Sequence, residues 1–132
     1  MRTIEVRGIP LAITGSLLEF TAGKRFITDG KAILQVGVLN FSPPAKVEPH
    51  THKNKKEPQK IEAMEFLLVS RGKAYATIYD AIGAIVASFP LYVGDFLIQL
   101  AGGHGFTFDK DTQMIEVKSG PYTGHDDDKV ML

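Results

Sequence analysis

Apolar residues in this chain never recur at helical spacing over a long stretch. They come in short, strand-length runs, each stopped by turn formers. Ile4 and Val6 alternate with Thr3, Glu5 and Arg7. KRFITDGKAILQVGVLNF carries Asp29-Gly30 between two apolar runs, a strong hairpin signal. EFLLVSRGKAYATIYD reads as two strands broken at Arg71-Gly72. DAIG turns into AIVASFPLYV, and Val93-Gly94-Asp95 marks the next break. FLIQL leads into a bend at AGGHG, and TQMIEVKSG is a last strand after the turn Asp109–Asp111. In that strand Glu116 and Lys118 alternate with Ile115 and Val117, which predicts charges facing solvent and apolar residues facing in. Residues 53–64, KNKKEPQKIEAM, are the one long polar interruption. They are expected to form an exposed, mobile loop at the mouth of the fold, with a helical turn at Ile61–Met64. The whole predicts an all-β chain, a sandwich or a small barrel.

At 132 residues the chain is expected to be one domain, residues 1–132. It is long enough to bury a sizeable core without disulfides. It has no cysteine, which excludes a disulfide framework, a thiolate metal site and a cysteine nucleophile. Lys plus Arg and Asp plus Glu are 15 each, so no net basic charge favours nucleic acid. Charges in the first residues interrupt any signal-peptide core, and no uncharged run approaches the ~20 residues of a membrane helix. The expectation is a soluble, cytoplasmic protein with neither a nucleic-acid nor a membrane partner.

The segment VEPHTHK places His50 and His52 two apart in a chain with four histidines. On a strand such residues share a face, so two imidazoles would stand side by side. The alternative is a pair of ordinary surface imidazoles. Glu65 opens an apolar strand whose same-face neighbours are Leu67 and Val69. An unpaired carboxylate on a buried face is costly, and a metal would remove that cost. Otherwise Glu65 is an edge-strand charge, and His104 a turn histidine among glycines. His125, in TGHDDDK, reads as a solvated side chain.

Taken together, VEPHTHK, EFLLVSRG and VGDFLIQLAGGHGF resemble the two signature motifs of the cupin superfamily. The first is H-x-H, a spacer, then E-x6-G; the second is Gly-Asp, an apolar strand and a lone His near a bend. The resemblance runs from about Pro49 to Phe106. It implies a jelly-roll β-barrel (a double-stranded β-helix) in which His50, His52, Glu65 and His104 hold one divalent transition metal. The spacer here is longer than the family pattern, with residues 53–64 between His52 and Glu65. Glu57 would suit a short spacer but lacks the glycine that should follow, so Glu65 is preferred. The second motif lacks its Pro and the Asn that often follows its His.

Three imidazoles and one carboxylate suit Zn, Mn, Ni, Fe, Co or Cu rather than Ca or Mg. Such a set leaves open positions on the ion, as a catalytic metal needs. The layout is similar, more distantly, to sugar-nucleotide epimerase and ketoisomerase cupins. That likeness implies an isomerase or epimerase acting on a sugar or sugar nucleotide, with the metal as Lewis acid. The alternatives are an Fe(II) dioxygenase and a non-catalytic, metal-supported binding module. Tyr75, Thr77 and Tyr79 share one strand face, and Tyr75 and Tyr79 are the candidates for moving a proton beside the metal. Equally, tyrosines simply favour strands. Expected partners are a small-molecule ligand and a second copy in a homodimer, with the N-terminal edge strand Thr3–Arg7 available for exchange.

Overall fold

The computed structural model describes residues 1–40, 42–46, 48–50, 63–119 and 130–132. His52, Glu57, His125 and all of 53–64 except Ala63 and Met64 lie outside them. The described chain is all β, with one 3-10 turn at Leu17–Glu19. Among the described residues no helix is long and apolar enough to cross a membrane.

Among the described residues, ten strands make three antiparallel sheets. β1 (Arg2–Val6), β2 (Ile9–Ser16), β8 (Asp95–Gln99), β5 (Glu65–Arg71) and β10 (Gln113–Lys118) form a five-stranded sheet in that order. β7 (Ile85–Tyr92), β6 (Lys73–Tyr79) and β9 (Gly103–Phe108) form a three-stranded sheet, and β3 (Gly23–Phe26) pairs with β4 (Gly37–Asn40). Among the described residues the sheets are not hydrogen-bonded into a closed barrel; they stack as layers.

Side-chain alternation decides the layering. On β6, Ala74, Ala76 and Ile78 are fully buried, while Tyr75, Thr77 and Tyr79 point away. The buried set meets Leu67, Val69, Leu97, Leu11 and Ile4 of the five-stranded sheet. The opposite face of that sheet, with Phe66, Leu68, Phe96 and Ile98, packs under Phe20, Ile27, Val36 and Val38 from the β3–β4 region. β8 is therefore covered on both sides, which is why its sequence is a continuous apolar run rather than an alternation. Phe96 stacks on Phe66 at 6.1 Å and lies tilted against Phe20 at 6.3 Å. Truncating it to alanine would cost about 3–5 kcal/mol.

From β5 onward the chain repeatedly changes sheet. Arg71-Gly72 is not a hairpin turn between paired strands; β5 and β6 belong to different sheets. Gly72, with φ 81°, makes that crossing. A methyl group there would run into the backbone of Asp111 and Thr112. Gly94 and Gly102, both at positive φ, make the next two crossings, β7 to β8 and β8 to β9.

Several expectations need refinement or correction. The hairpin expected around Asp29-Gly30 is present, β3 pairing antiparallel with β4 from Phe26↔Gly37 outward, with residues 27–36 as its loop and Asp29–Ala32 as a turn inside it. Asp29 shapes it by accepting from the Lys31 amide at 2.8 Å, and the Thr28 hydroxyl accepts from the Val36 amide at 2.9 Å. His104 is not in the bend but is the second residue of β9. On β10 the expectation holds only in part: Glu116 is exposed, but the apolar residues do not face in. Lys118 is in register with Glu65 and Glu116 with Leu67, on the side of the three-stranded sheet, whereas Ile115 and Val117 are each 49% exposed on the other. β10 is an edge strand, so neither of its faces is fully covered. Met64 is buried, and the first half of the helical turn expected at Ile61–Met64 lies outside the described residues. It exchanges bonds with Ser119, whose hydroxyl accepts from the Met64 amide.

Candidate metal centre

Glu65 is the first residue of β5, opposite Gln99 on β8 and Lys118 on β10. It shares its strand face with buried Leu67 and Val69, so its carboxylate points between the two larger sheets. His104 on β9 is opposite Ile78 of β6 and shares the inward face with Phe106. Its ring lies tilted on Phe106, with centroids 5.0 Å apart. The two side chains thus approach from facing sheets at one end of the core. His104 Nε2 lies 3.3 Å from Glu65 Oε2, and each side chain keeps 21% of its surface exposed.

The geometry of this contact is informative. Glu65 Oε2 is itself buried and accepts no hydrogen bond from any described group. A charge-assisted N–H···O bond closes to about 2.7–2.9 Å. Two donor atoms on one ion at about 2.0–2.2 Å stand about 2.8–3.1 Å apart in an octahedral shell and about 3.3–3.6 Å apart in a tetrahedral one. The observed 3.3 Å is longer than a direct charge-assisted bond and falls at the short edge of the tetrahedral range. A buried carboxylate oxygen without a hydrogen bond is the kind of atom that a cation would satisfy.

Behind His104 stands Gln99, 5% exposed. Its Nε2 donates to the carbonyls of Leu11, at 3.3 Å, and Ala101. Its Oε1 lies 3.2 Å from His104 Nδ1. The only sequence signal for this role is a polar residue ending an apolar run at a position in step with Leu97.

His50 is exposed, and its Nδ1 donates to the Glu48 carbonyl at 2.7 Å. It does not join Glu65 and His104: among the described residues no group of three or more His, Asp or Glu side chains is placed to hold a metal. His52, the other half of the H-x-H pair, lies outside the described residues, as does Glu57.

Tyr75 and Tyr79 are not brought to the site. In register they are opposite Thr107 and Gly103, on the outer face of the three-stranded sheet, whereas His104 is on its inner face. Tyr75 is 46% exposed. Thr77 shares a hydroxyl–hydroxyl bond of 3.0 Å with Ser88 on the same outer face. Comparison of the chain with family models, with curated proteins and with solved structures found no match.

Proposed function

We propose that this chain is a metal-binding protein of the cupin type, in which Glu65 and His104 supply two of the ligands; His50, which is exposed and stands apart from them, would have to move to join the set. The observation that carries the reading is the buried, hydrogen-bond-free Glu65 Oε2 lying 3.3 Å from His104 Nε2. The topology supports it as well. β5 pairs with β10 and β6 with β9, while the chain crosses between facing sheets, the nested pairing that a jelly roll uses. The E-x6-G spacing spans β5: Glu65 opens the strand and Gly72 makes the crossing that follows it.

A divalent transition metal, zinc, manganese, nickel or iron, would supply a Lewis acid for an oxygen atom of a small substrate. The chain's own contribution is to hold a carboxylate and an imidazole rigidly, each on a strand, at a spacing that needs no rearrangement. The substrate class implied by the family resemblance is a sugar or sugar nucleotide, handled by proton transfer in an isomerase or epimerase reaction. A homodimer in the cytoplasm completes the reading.

The test is calorimetric titration of metal-free protein with zinc, manganese, nickel and iron(II). One ion per chain is expected, with binding abolished by Glu65→Ala and by His104→Ala. Failure of all four metals to bind the folded protein would overturn the proposal.

A further inference from the structure

We infer that Gln99 is a positioning residue that sets the tautomer of His104. The Gln99 amide is held from behind by two backbone carbonyls, those of Leu11 and Ala101. A carbonyl oxygen only accepts hydrogen bonds, so the group facing both must be the NH2 of the amide. Reversing the amide would set its oxygen against two carbonyl oxygens in a buried place, with nothing to donate. The orientation is therefore determined, and Oε1 is what Gln99 presents to His104.

An amide oxygen also only accepts. The His104 atom 3.2 Å from it, Nδ1, must then carry the proton. In the neutral ring this leaves the lone pair on Nε2, the nitrogen that faces Glu65 Oε2. Gln99 thus selects, from the far side of the ring, which nitrogen is offered to the space beside the carboxylate. It does so from a well-anchored position. Gln99 is opposite Glu65 on the neighbouring strand, and its own bonds tie β8 to β2 and to the turn that leads into β9. One buried side chain thereby sets the geometry of groups on both sheets. Metal-binding histidines generally need such a partner on the second nitrogen to hold ring orientation and tautomer.

The consequence for metal binding rests on the function proposed above; the tautomer does not, and it can be read in the metal-free protein. The experiment is a long-range ¹H–¹⁵N correlation of the histidine rings at pH 8, with His104 assigned by substitution. The unsubstituted protein should show His104 as the Nδ1–H tautomer. In Gln99→Met, which keeps the length and removes both donor and acceptor, His104 should shift substantially toward Nε2–H. Zinc affinity should fall about 10–100-fold in the same variant. Should that variant not fold, Gln99→Asn, which withdraws the amide by one carbon, carries the same expectation. An Nε2–H ring in the unsubstituted protein overturns the inference whatever the zinc affinity. So does an unchanged tautomer in the variant. If the tautomers behave as expected but the unsubstituted protein binds no metal, the role of Gln99 stands and the metal reading alone falls.

Discussion

Glu65 and His104 meet across the gap between two facing sheets, with Oε2 3.3 Å from Nε2, although they are far apart in the chain. Each is fixed by its own strand register, Glu65 opposite Gln99 and His104 opposite Ile78, so neither needs the other to reach its place. A pair built in this way should accept a third party without reorganising either sheet.

Zinc added at a hundredfold excess over its Kd should stabilise the folded protein by about 2.7 kcal/mol, because it binds the native state alone. Thermal melts with and without metal at pH 7.5 measure the effect. At pH 5.5 the gain should shrink, since protons and metal compete for the same imidazole nitrogen. Identical melting temperatures with and without metal, in protein known to start metal-free, would remove the site.

Replacing the Glu65 carboxylate with a side chain of similar length but no charge separates function from stability. Glu65→Met should abolish metal binding and make the metal-free protein more stable, by about 1–2 kcal/mol, because a poorly satisfied, mostly buried carboxylate gives way to an apolar group. Chemical denaturation in the presence of chelator checks this. A less stable variant would mean that the carboxylate has compensating partners.

Tyr75→Phe and Tyr79→Phe test the placement of the tyrosines. Both residues lie on the outer face of the three-stranded sheet, away from Glu65 and His104. Metal affinity in either variant should therefore stay within about twofold of the parent, a difference of no more than ~0.4 kcal/mol. A tenfold loss by titration calorimetry would place a tyrosine at the ion.

Gly72→Ala should be strongly destabilising, by roughly 2–4 kcal/mol, since it combines a left-handed backbone with collision against the backbone of Asp111 and Thr112. Urea denaturation reads the loss directly. A change below ~0.5 kcal/mol would show that this crossing can relax.

How much of this was legible in the sequence depends on where each strand sits. β6 was readable because small apolar residues alternate with hydroxyl-bearing ones, and the sheet buries only one face. β8 was readable as a buried run. β10 misleads: its apolar residues suggest an inward face, but pairing with β5 puts Glu116 and Lys118 on the side of the facing sheet instead. Register is a property of two strands, and one strand's pattern does not contain it. Asp29-Gly30 marks the β3–β4 hairpin correctly, but not its loop length, which the Asp29 carboxylate and the Thr28 hydroxyl set by capping a wider loop. Glu65 and His104 stood out as charged or titratable residues set against apolar strands. Gln99 could be placed only within reach of the site, on the strand before His104; its contact with the ring shows only in the fold, where the carbonyls behind it fix its amide.

The crossings at Gly72, Gly94 and Gly102 have a kinetic consequence. Because the chain changes layer at these crossings, β5 pairs with β8 and β10, and β6 with β9, strands distant in the chain, and such topologies fold slowly, with loop closure preceding its reward. The hairpin of β6 and β7 can form early from neighbouring residues. Glu65 and His104 come within reach only once β8 and β9 have been laid onto separate layers and those layers have docked. Capture of an ion at this point would therefore report the last stage of assembly, and a half-folded chain would have nothing to offer it.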